Sequence, residues 1–74
     1  MALDGGADGL LFYRKLPEIA AARLAPGGLL AMEIGEDQGA AVSALVQQAG
    51  FLQVTVHPDP AGHDRVVTGV RGEW

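Results

Sequence analysis

Apolar residues recur along this chain with two different periods, and the changes of period divide it into five elements. From Gly9 to Leu24 they fall at helical spacing, with Leu10, Tyr13, Leu16 or Pro17, Ala20 and Leu24 on one side. Asp8 stands where an N-cap is expected, its carboxylate able to accept hydrogen bonds from first-turn amides. Pro17 lies inside this helix and lacks the N–H that would bond residue 13, which predicts a kink or a helix in two pieces. Ala25-Pro26-Gly27-Gly28 then ends the helix in a tight turn.

Leu29-Leu30-Ala31-Met32-Glu33-Ile34 follows as a nearly unbroken apolar run. A strand with one wet face alternates apolar and polar positions. A continuous run suits a strand covered on both faces inside a parallel α/β sheet. Gly35-Glu36-Asp37 makes a turn, and the helix from Asp37 to Ala49 carries a stripe at Val42, Leu45, Val46 and Ala49, with Gly50 placed to end it. Phe51 to His57 alternates as a strand, with Leu52, Val54 and Val56 on one face. A loop rich in Pro, Asp and Gly, 58–62, leads to a β-branched strand from Arg65 to Arg71.

Residues 1–74 thus read as one partial domain: helix 9–24, strand 29–34, helix 37–49, strand 51–57 and strand 65–71. The crossover helix makes strands 29–34 and 51–57 parallel. The loop before the last strand is too short for another crossover, so that strand runs antiparallel. The first strand is patterned for the interior of a wider sheet than this chain supplies. Something is expected to pair with it.

Composition narrows the class. At 74 residues folding buries only about 60% of the unfolded surface. Cysteine is absent, so neither disulfides nor thiolate metal sites are available, which suits the cytoplasm. The net charge of −4 and five scattered basic residues give no basic face for a nucleic acid. No apolar run approaches the ~20 residues that span a bilayer.

Candidate chemistry is sparse. Glu33, Glu36 and Asp37 cluster at the C-terminal end of a strand, where open α/β sheets bind ligands. A substrate-side or metal role competes there with a solvated turn that complements the next helix dipole, and the turn is the expectation. His57 and His63 flank the last loop and are expected as ordinary hairpin residues rather than a metal pair. Ser43 sits mid-helix with no base nearby, and Arg65 is expected to stabilise the hairpin. Gly5-Gly6 precedes a helix without a strand before it, which is a poor phosphate cradle.

The runs Ala2-Leu3-Asp4-Gly5-Gly6-Ala7-Asp8-Gly9-Leu10, Tyr13-Arg14, Leu24-Ala25-Pro26-Gly27-Gly28 and Glu33-Ile34-Gly35 with Gln38 together resemble the C-terminal third of the HemK family. Ala49-Gly50-Phe51 and the segment from Asp59 to Val67 resemble its helix end and closing hairpin. That family comprises S-adenosylmethionine-dependent methyltransferases that modify a glutamine side-chain amide in peptide-chain release factors. The resemblance implies the end of a Rossmann-like (class I) methyltransferase sheet, ordered α-β-α-β-β, with the last strand antiparallel and slotted between the other two.

It also implies what this chain lacks. Family members hold the cofactor with a Gly-rich loop and an acid, and the target amide with an Asn-Pro-Pro-Tyr motif. This chain contains no Asn at all. The fragment alone is therefore expected to be inactive, with no catalytic, cofactor-binding or metal-binding residue and no bound S-adenosylmethionine. Glu33, Gly35 and Gln38 remain as substrate-side candidates. The expected partners are the upstream part of the same enzyme and, for the intact enzyme, a release factor. The alternative is a non-catalytic interaction or dimerisation module that uses the exposed strand 29–34.

Overall fold

The computed structural model describes residues 10–73. Its elements are α1 (Leu11–Arg23), β1 (Leu29–Glu33), α2 (Gly39–Gln48), β2 (Leu52–Pro58) and β3 (Asp64–Val70). The proposed cap Asp8, the Gly5-Gly6 pair and Trp74 lie outside the described residues. Leu10 holds the N-cap position of α1 and makes no side-chain capping bond.

The three strands form one sheet in the order β1-β3-β2, and β3 runs antiparallel to both neighbours. The first and second strands therefore point the same way without touching. β1 pairs with β3 from Leu29↔Val70 to Glu33↔Val66. Past the strand ends, Gly27 and Arg71 extend the ladder: Gly27 N–H donates to Arg71 O, and Arg71 N–H to Gly28 O.

Both helices cover one face. Leu30, Met32 and Ile34 of the first strand and its exit meet Val42 and Val46 of α2, Phe51 and Val67 in a single core, with Tyr13, Leu16, Ala20 and Leu24 of α1 packed against it. Here the apolar run of β1 reads differently from its sequence. Burial alternates along it, and Leu29 is 61% exposed on the uncovered face. Among the described residues, the interior-type pattern thus meets helices on one side only.

Pro17 does not split α1, which is one element of 13 residues. The ring is fully buried, so its apolar contacts offset the backbone bond it cannot make. The second strand departs from strict alternation. Leu52 pairs with Val70 and Thr55 with Thr68, so three residues of β2 span two of β3, and Gln53 adopts φ 52° in the bulge. The extra residue turns Leu52 onto the uncovered face, where it is 57% exposed. Val54 and Val56 stay against the core.

Two glycines set how closely the layers approach. A Cβ on Gly69 would lie 2.9 Å from Val46 Cγ1 and 3.0 Å from Phe51 Cβ, so only glycine lets α2 sit down on the middle strand. At Gly39, the first residue of α2, the Asp64 carboxylate occupies the space a Cβ would take.

Candidate functional site

β1 ends on the same short segment that the sequence marks as substrate-side. Glu33 is exposed, and its carbonyl accepts a 2.8 Å hydrogen bond from Tyr13 Oη on α1. Gly35 N–H donates to Gln38 Oε1 at 2.8 Å, while Gln38 N–H returns to Gly35 O at 3.0 Å. Gln38 O then accepts from Val42 N–H and opens α2. Gly35 and Gln38 are therefore spent on one another in closing the turn, and Glu33 is the candidate whose side chain has no hydrogen-bond or ion-pair partner among the described residues.

The remaining acids and histidines divide among local partners. Glu36 approaches His63 Nε2 at 3.5 Å, and His63 Nδ1 lies 3.8 Å from Asp59. His57 Nε2 instead meets Thr68 Oγ1 at 2.8 Å across the uncovered face. Among the described residues no group of three His, Cys, Asp or Glu side chains is placed to hold a metal. Ser43 Oγ is buried without a hydrogen-bond partner among the described residues.

The hairpin loop is organised by Asp59, which sequence reasoning passed over. Its Oδ1 accepts from Ala61 N–H at 2.9 Å and His63 N–H at 3.0 Å, and its Oδ2 accepts from Arg65 Nε at 2.8 Å. The Arg65 bond above all, helped by the backbone donors, holds the Asp59 carboxyl below its ordinary range. The same contact raises Arg65. An Asp followed by Pro and Gly in a short loop was the available signal, because such side chains fold back onto their own amides. Most of the recognisable run from Asp59 to Arg65 is thus loop-closing chemistry.

Arg65 also borders a shallow open hollow with Glu33, Ile34 and Val66 at the C-terminal end of β1. A second hollow lies between the helices, lined by Arg14, Glu18, Leu45, Gln48 and Ala49. That places Arg14 and Glu18 on the α2 flank of α1. At about 100° per residue, Phe12 and Ile19 fall on the opposite flank, 45% and 51% exposed. They stand above the edge of β1 that no described strand pairs.

Comparison with known proteins agrees with the resemblance drawn from the sequence. The chain is 56% identical over 72 residues to the release factor glutamine methyltransferase of Caulobacter vibrioides, an overlap of 96% of this chain and 25% of that protein. It is 53% identical over 74 residues to the one from Moorella thermoacetica, covering 99% of this chain and 26% of the relative. With the Clostridium acetobutylicum protein it shares 46% over 72 residues, 97% of this chain and 25% of the relative. No family model matches, and no solved structure matches. The chain is therefore similar to one segment of the release factor glutamine methyltransferases, and it spans about a quarter of the length of these relatives.

Proposed function

We propose that this chain is the C-terminal segment of a cytoplasmic release factor glutamine methyltransferase, an enzyme that moves a methyl group from S-adenosylmethionine to a glutamine side-chain amide of a release factor. The segment contributes sheet, packing and one wall of the substrate cleft. Cofactor and target amide are held by the remaining three-quarters of the enzyme. Within that reading the sheet is the end of a Rossmann-like one, and Glu33, Gly35 and Gln38 belong to the substrate side.

The observation that carries this is the bare edge of β1 beneath the apolar flank of α1. A right-handed crossover whose helix lies on a given face steps the same way across a sheet each time. α2 takes the chain from β1 past β3 to β2, and α1 lies on the same face. A strand that enters β1 through α1 must then lie on the opposite side of β1, on the bare edge. Phe12 and Ile19 stand above it, ready for the next helix over. The surface fits a parallel strand with a helix above it, the repeating unit of a doubly wound sheet.

Two titrations test the reading. The intact polypeptide that carries this segment is expected to transfer label from methyl-labelled S-adenosylmethionine to a release factor. The 74-residue chain is expected to give no calorimetric heat with the cofactor. Tight binding by the short chain would overturn the division of labour proposed here.

A further inference from the structure

We infer that Tyr13 ends the pairing of the bare edge: the strand that lies beside β1 in the intact enzyme parts from it at Glu33, and the recess opened there takes an extended segment of the protein substrate. The inference deepens the methyltransferase reading and rests on it. Gly28 O and Ile34 N–H bond to the β3 side, so the backbone groups of Leu29, Ala31 and Glu33 point the other way, to the edge that no described strand pairs. Along that edge the Glu33 carbonyl is already satisfied, by Tyr13 Oη donating to it at 2.8 Å. The phenol is held in place. Its half-buried ring packs against the core and meets Phe12 edge-on, with centroids 5.5 Å apart.

Backbone groups inside a sheet find a partner, in a ladder where a strand runs alongside and in a side chain where none does. A strand that continued past Glu33 would bring its own amide to this carbonyl and leave the phenol redundant. The neighbour therefore pairs through Ala31 and the Glu33 N–H, then turns away. Adjacent strands that part before they end leave a recess between their exit loops, at the carboxyl side where open α/β sheets bind ligands. On the β1 side its wall is the turn that Gly35 and Gln38 close with their two mutual bonds. Tyr13 is thus a positioning residue, acting through the level at which the next strand leaves the sheet.

Through-hydrogen-bond couplings in the intact, isotope-labelled enzyme read each bond directly. An amide of the neighbouring strand is expected to couple to the carbonyl of Ala31, and no backbone amide to that of Glu33. A backbone-amide coupling at the Glu33 carbonyl, or none at Ala31, overturns the proposal. Tyr13→Phe keeps the ring and frees the carbonyl. Its KM for the release factor is expected to rise about fivefold, the worth of roughly one hydrogen bond, while KM for S-adenosylmethionine changes by less than about twofold. Equal changes in the two KM values, or no change in either, refute Tyr13 as a positioning residue of the substrate side. Failure of the family reading is seen separately, as an intact enzyme that leaves release factors unmethylated.

Discussion

Tyr13 and Glu33, twenty positions apart, are joined by a 2.8 Å hydrogen bond from the phenol to the strand carbonyl. β1 directs the backbone groups of its even-numbered residues toward β3, as the bonds at Gly28 O and Ile34 N show. Glu33 O therefore points to the bare edge, and Tyr13 satisfies it there. Tyr13→Phe removes this bond and leaves the ring packing. It is expected to cost about 0.5–1.5 kcal/mol in denaturant unfolding, with faster hydrogen exchange at Ile34 and Gly35.

The same geometry makes the edge addressable. Ala31 directs its N–H away from β3, so Ala31→Pro removes a group the observed sheet does not use. At high concentration the isolated chain is expected to sediment above its 7.7 kDa monomer mass, because a bare edge under apolar side chains recruits another copy. The proline variant is expected to remain monomeric. Association that persists in Ala31→Pro would place the contact elsewhere.

Gly39 and Asp64 compete for one space. Gly39→Ala, ordinarily favourable in a helix, is expected to destabilise by about 1–3 kcal/mol because the new methyl meets the carboxylate. Asp64→Ala opens that space. In a double-mutant cycle the pair should cost less than the sum of the single changes, by roughly 0.5–3 kcal/mol. Additive costs would show that the carboxylate moves aside freely.

Asp59 sets an acid limit. Its carboxyl lies below its ordinary value in the folded chain, so the folded state holds its proton less tightly than the unfolded one. The stability it contributes is complete above about pH 4 and is lost as pH falls through the lower, folded-state value. Asp59→Asn should flatten the acid limb of a stability-against-pH curve, and an unchanged limb would assign acid unfolding to other carboxylates.

Much of this was legible in local pattern. The order of elements follows from helical and alternating periods, and the antiparallel last strand from the shortness of loop 59–63. Its place between the other two came from the resemblance, and the ladder bears it out. What sequence could not give are the non-local choices. The bulge at Gln53 reverses the face of Leu52, and no residue there announces it. β1 reads as covered on both faces because its residues are apolar, whereas helices lie on one side only. At the candidate site, Gly35 and Gln38 stood with Glu33 among the candidates but were not legible as each other's hydrogen-bond partners. Arg71, which donates to Ala21 O fifty positions away, carries no sequence signal at all.

The central position of the last strand also dictates when the sheet can exist. β1 and β2 never pair with each other, and both ladders need residues 64–70. While the chain emerges from a ribosome, α1 and α2 can coil early, but neither earlier strand has a described partner until residues 64–70 are released. Assembly of this three-stranded sheet is thus held back until the strand that joins the other two is available.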